Sequence, residues 1–120
     1  MERLASFDNF VLKWGSRVVV DHDSGKIRPQ LNSLIHTDAK AWRSGKRFVL
    51  VSSGSVALGA RDLGFDLNSR VLKTEEKQAC AAIGQSQLMS YYHEQFDREN
   101  LKVAQVLLLS LIHISEPTRP

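Results

Sequence analysis

One cysteine, Cys80, in 120 residues excludes an internal disulfide framework and fits a reducing cytoplasm. Long apolar runs are missing too. The stretches at 48–51 and 103–109 fall far short of the roughly 20 residues that cross a bilayer, so no membrane partner is expected. Glu2 and Asp8 with no apolar core between them do not read as a signal peptide. Charge is not gathered under one sign. The 16 basic and 13 acidic residues leave +3, scattered without a basic stripe or interleaved aromatics, which argues against nucleic acid. The histidines His22, His36, His93 and His113 form no metal or triad spacing. Internal repeats, low-complexity segments, a P-loop and a dinucleotide fingerprint are all absent. Asp21-His22-Asp23-Ser24-Gly25-Lys26 begins like a calcium loop, but no glycine at the sixth position and no glutamate at the twelfth follow. It reads as a solvated turn.

What is present is a globular composition, 42% hydrophobic and 24% charged, for one domain or part of one. Two glycine turns stand out within it: Val11-Leu12-Lys13-Trp14-Gly15-Ser16 and Val49-Leu50-Val51-Ser52-Ser53-Gly54. Each is an apolar strand-like run that ends in small residues, where exposed backbone N–H groups need partners. In α/β proteins such turns hold anions. Two of them, with a lysine closing the first, point to a site for more than one anionic group and hence to phosphoryl transfer.

Periodicity predicts strands at 10–12 and 18–20, a helix after Pro29 that ends at Ser44-Gly45, and a buried strand at 48–52. A second helix starts at Ser53 and stops at Gly64. A third runs from an N-cap at Thr74 to about Phe96, burying Ala79, Ala82, Ile83 and Met89, and a further buried strand is expected at 103–108. The fold class is therefore α/β: a doubly wound, mainly parallel sheet with helices on both faces, incomplete.

In such sheets ligands bind beyond the carboxyl ends of the strands, so both turns should face one crevice. Lys13 is the candidate for neutralising a transferring phosphoryl group, against the alternative of a solvated lysine at a strand end. Gly15 and Ser16 offer backbone N–H groups to phosphate oxygens, with no side chain intervening at the glycine. Ser53 and Gly54 fit either a plain helix cap or a site for a substrate carboxylate or phosphate. Cys80 reads as a small buried hydrophobe and Trp14 as a packing residue.

The end of the chain reads differently from the rest. Residues 109–119, Leu-Ser-Leu-Ile-His-Ile-Ser-Glu-Pro-Thr-Arg, match the in-frame translation of a transposase sequencing adapter. The expected organisation is thus a native segment at 1–108 and a foreign one at 109–120.

With these residues laid out, the chain resembles the N-terminal part of the amino-acid kinase family in its glutamate 5-kinase branch. The likeness runs from about residue 10 to residue 108. Besides the two turns it rests on Val56-Ala57 and Gly59, Leu63-Gly64, Glu76-Lys77-Gln78-Ala79, Ala81-Ala82-Ile83-Gly84-Gln85, Leu88-Met89 and Val103-Ala104-Gln105-Val106-Leu107-Leu108. Aspartate and acetylglutamate kinases tend to carry Gly-Gly after the lysine, where this chain has Gly15-Ser16. Arg17 departs from the branch, in which a second serine is common. The resemblance implies ATP-dependent phosphorylation of the γ-carboxylate of L-glutamate to γ-glutamyl phosphate, the first step of proline biosynthesis. It implies Lys13 as the catalytic residue, Lys13, Gly15 and Ser16 on the ATP phosphates, and Ser53 and Gly54 on glutamate. Mg²⁺ would accompany the nucleotide, with no metal ligand in this chain. A cytoplasmic, homo-oligomeric full-length protein is also implied. The family's later elements are missing, so this piece holds half a site and is expected to be inactive alone. Another member of the family, the kinase half of a pyrroline-5-carboxylate synthase, and a non-catalytic flavodoxin-like phosphate-binding module remain as alternatives.

Overall fold

The computed structural model describes residues 9–105. In chain order the elements are β1 (Asn9–Trp14), α1 (Ser16–Val19), β2 (Val20–Asp21), β3 (Lys26–Ile27), α2 (Leu31–Arg43), β4 (Arg47–Ser52), α3 (Ser55–Leu63) and α4 (Thr74–Arg98). β1 and β4 form a two-stranded parallel sheet, in register from Asn9 against Arg47 to Trp14 against Ser52. β2 and β3 form a separate antiparallel hairpin.

The pleat of the parallel pair divides its side chains cleanly. Phe10, Leu12 and Trp14 share one face with Phe48, Leu50 and Ser52. There the rings of Phe10 and Phe48 stack at 5.5 Å, Trp42 of α2 meets Phe48 edge-on, and Trp14 packs against Tyr92 of α4. The other face carries Val11, Lys13, Val49 and Val51 and is exposed, with Val11 at 65% and Val49 at 64%. Cover on both faces was the sequence expectation. Among the described residues helices cover one face only, and the result is a small α/β unit with a parallel pair at its centre.

Three local readings need correction. Residues 18 and 19 are not strand. The Gly15 carbonyl accepts from the N–H groups of both Val18 and Val19, closing a helical turn, so a β-branched pair is drawn into α1 and only Val20–Asp21 extends. Thr74 is not the N-cap of α4. Lys73 is, and its N–H donates to Glu76 Oε1 at 2.9 Å. That bond and the contact with Arg70 hold the Glu76 carboxyl below its ordinary range. Thirdly, residues 103–105 are not in a strand; 106–108 and the segment read as foreign, 109–120, lie outside the described residues.

The buried stripe of α4 also differs. It is Cys80, Gly84, Leu88, Tyr92 and Phe96, at strict spacings of four, whereas Ala79 and Ala82 are exposed and Ile83 and Met89 half-buried. The phase is set by the crossing of α3 and α4. A Cβ on Gly59 would lie 1.8 Å from the Cys80 carbonyl oxygen, and one on Gly84 would lie 1.7 Å from that of Ser55. The two helix backbones touch, and only glycine permits it. α2 buries Leu31, Ile35 and Ala39, again four apart. Glu99, just beyond α4, accepts from His36 at 2.9 Å and from Arg43 at 3.3 Å, tying the end of α4 to α2.

Candidate functional site

Because β1 and β4 are parallel and end in register, both glycine turns emerge at the same sheet edge. One hydrogen bond joins them: the Ser53 N–H donates to the Trp14 carbonyl at 2.9 Å. Lys13, Gly15, Ser16, Ser53 and Gly54 thus lie on two neighbouring turns. Lys13 stands in register with Val51 on the exposed face, and its ammonium joins no ion pair among the described residues. Arg17 is exposed on α1 and accepts through its carbonyl from Arg28 Nε at 2.7 Å.

The two glycines differ in what makes them glycine. Gly54 has φ +113°, and a Cβ there would lie 2.9 Å from Val20 Cγ2, so backbone conformation and packing both demand it. Gly15 has φ −70° and ψ 166°, ordinary extended backbone, and a Cβ would meet nothing within 4 Å. The fold of the described residues leaves open space over Gly15. Gly54, rather than Ser53, is the N-cap of α3, and among the described residues no side chain caps that helix. The first-turn N–H groups of α3 therefore have no side-chain acceptor among the described residues. Ser53 as a plain cap is overturned.

Three supporting contacts escaped the sequence. The hydroxyls of Ser52 and Tyr92 are 2.6 Å apart. Ser16 Oγ lies 2.7 Å from His22 Nε2. The Ser55 hydroxyl donates to the Gln85 side-chain oxygen across the α3–α4 crossing. Each pair couples residues that only the tertiary fold brings together. The one sequence signal was the four-residue spacing of Leu88, Tyr92 and Phe96.

Tyr92 is buried, and burial pushes its phenol up to about 12 from 10.0, although the bond to Ser52 opposes the shift. A folded state that holds the proton more tightly than the unfolded chain is favoured below pH 10 and loses that advantage as pH climbs from 10 to 12. Urea unfolding of the full-length gene product across this window should show stability falling. Tyr92 contributes a slope approaching about 1.4 kcal/mol per pH unit. Tyr92→Phe removes that part of the slope; an unchanged slope in this variant places the phenol in water.

The donor set fits phosphate: an exposed ammonium, a hydroxyl and an unobstructed glycine backbone at one edge. Among the described residues no group of three or more His, Cys, Asp or Glu is placed to hold a metal ion. Cys80 is buried, and desolvation pushes its thiol up, as for a packing cysteine. No helix among the described residues is long and apolar enough to cross a membrane.

Comparison with known proteins adds a family to this geometry. The model of the amino acid kinase family matches residues 8–118. Glutamate 5-kinase of Geobacter sulfurreducens is 42% identical over 105 residues, covering 88% of this chain and 28% of that protein. Glutamate 5-kinase 2 of Mesorhizobium japonicum is 41% identical over 109 residues, 90% of this chain and 38% of the relative. Glutamate 5-kinase of Bifidobacterium adolescentis is 42% identical over 106 residues, 88% and 27% respectively. The chain thus spans between 27% and 38% of the length of these relatives. With the family model covering most of its residues, the chain belongs to the amino acid kinase family.

Proposed function

We propose that this chain supplies the amino-terminal half of the site of an ATP-dependent kinase that phosphorylates the γ-carboxylate of L-glutamate. The product is γ-glutamyl phosphate, the first intermediate of proline biosynthesis. The observation that carries the reading is the Ser53 N–H to Trp14 carbonyl bond, which fuses two anion-seeking turns at one edge of a parallel sheet. Its context is similarity to several glutamate 5-kinases at about 40% identity.

In this reading the first turn takes the nucleotide. The Lys13 ammonium neutralises charge on the γ-phosphoryl group, and Gly15 and Ser16 approach the phosphate oxygens through backbone N–H and hydroxyl. The open space over Gly15 supports this, because nothing in the described fold needs glycine there. The second turn takes glutamate through Ser53 and the free N–H groups beyond Gly54. A glutamate carboxylate oxygen attacks the γ-phosphorus, the bond to ADP breaks, and the chain's task is positioning and charge neutralisation. Mg²⁺ supplies charge compensation on the phosphates when bound. In this reading the ion accompanies the nucleotide. A native segment ending at Leu108 with foreign residues beyond it, a cytoplasmic location and a homo-oligomeric full-length protein belong to the same proposal.

The test is kinetic, in the full-length gene product, with the acyl phosphate trapped by hydroxylamine. Ser53→Ala should raise the KM for glutamate about ten- to a hundredfold, as expected when a hydrogen bond to a charged group is lost, with kcat less affected. An unchanged glutamate KM removes Ser53 from the substrate site. ATP binding without any trapped product favours a phosphate-binding module instead.

A further inference from the structure

The hairpin turn that reads as solvated in the sequence reaches the first glycine turn. His22, at the end of β2, sets Nε2 2.7 Å from Ser16 Oγ, and both residues are half-buried. The contact is held by backbone on either side. Asp21 Oδ1 accepts the Asp23 N–H at 2.9 Å and the Gly25 N–H donates to the Asp21 carbonyl at 2.7 Å, which shapes the turn. The Asp23 N–H and then the Ser24 N–H, both donating to Oδ1, hold the Asp21 carboxyl below its ordinary range. The Arg28 N–H and Nε donate to the carbonyls of Val19 and Arg17, at 2.8 and 2.7 Å. Arg17 and Val19 are α1 itself, so the hairpin is bonded to the helical turn that Gly15 starts. Val19 and Val20 beneath it are fully buried. His22 and Ser16 therefore sit on one rigid piece.

A serine hydroxyl has one proton and two lone pairs, and a phosphate oxygen only accepts. A histidine that accepted from Ser16 would turn that proton inward, away from any anion. A histidine that donates fills a lone pair and leaves the proton free to point out. We propose that His22 is a positioning residue for the nucleotide side of the site: its Nε2–H donates to Ser16 Oγ and aims the Ser16 hydroxyl at a phosphate oxygen. The proposal rests on the reading that the Lys13–Ser16 turn takes the ATP phosphates, and it is independent of the acceptor being glutamate.

The experiment varies ATP and glutamate separately in the full-length gene product. His22→Ala should raise the KM for ATP about two- to tenfold, the range for a neutral hydrogen bond, and leave the glutamate KM in place. His22→Gln, whose amide can donate from a similar position, should restore the ATP KM. Ser16→Ala should raise it at least as much, and Ser16→Ala with His22→Ala should be no worse than Ser16→Ala alone. Thermal unfolding of each variant is followed in parallel, and His22→Met replaces the alanine variant if that one does not fold. Effects that multiply in the double variant, a glutamine variant that behaves like alanine, or equal rises in both KM values overturn the proposal. So does an unchanged ATP KM in Ser16→Ala. If no acyl phosphate forms from glutamate, ATP affinity at equilibrium is compared across the same variants, so the positioning role and the substrate assignment fail separately.

Discussion

Replacing Lys13 by alanine in the full-length gene product is expected to lower kcat by about two to three orders of magnitude, with a smaller change in either KM. The magnitude is that of removing one fixed charge or donor from a site where charge develops during reaction. The structural ground is that β1 carries Lys13 two residues ahead of Gly15, on the exposed face and in register with Val51. No carboxylate of the described residues pairs with it, so its charge is available to a ligand. A lysine that merely solvates a strand end contributes little, and truncating it changes kcat less than tenfold. Lys13→Arg is a second probe, because a planar guanidinium does not fit the place of a compact ammonium; it should recover only part of the rate. Steady-state kinetics of the two variants, with folding checked by circular dichroism, decide between the readings.

The second large effect is structural. Gly84→Ala should destabilise the protein by about 3 kcal/mol or more, at or beyond the upper end for overpacking. The added Cβ would stand 1.7 Å from the Ser55 carbonyl oxygen, and what it meets is backbone, which cannot rotate aside. α3 and α4 must then part, and the Ser55–Gln85 bond across the crossing is lost with them. Gly15→Ala is the matched control. With φ −70° and nothing within 4 Å of the new methyl group, its stability should stay within about 0.5 kcal/mol of the parent. Urea unfolding measures both. A Gly84→Ala variant as stable as the Gly15→Ala variant contradicts the helix contact drawn here.

Much of this unit could be read before any coordinates. β1, β4, α2 and α3 announce themselves because each has apolar residues at the period of its element and a glycine or serine at its end. The two turns were singled out by the same signals, and the parallel register then sets them side by side. What stayed hidden has a common cause. Val18 and Val19 look like strand because branching at Cβ favours extended chain, and only the Gly15 carbonyl, by accepting twice, bends them into α1. On α4, Ala79, Ala81, Ala82 and the single glycine Gly84 lie among larger residues so that periodicity does not choose a face. The choice is made by Gly59 on another helix, 25 positions away from Gly84. Ser52 with Tyr92 and Ser16 with His22 are pairs formed across the fold, and neither residue of a pair carries a local mark of the other. The candidate residues of the turns were legible; the groups that hold them in place were not.

The parallel register has a consequence for how this protein tolerates error. Trp14 and Lys13 are neighbours in the chain, so the pleat sends them to opposite sides of the sheet, one into the interior beside Tyr92 and one to the open side. Sliding β1 by a single residue would exchange them, placing an ammonium in the aromatic interior and an indole on the exposed face. Correct assembly of the interior and correct presentation of the charge are thus one choice, made once, when β1 docks against β4.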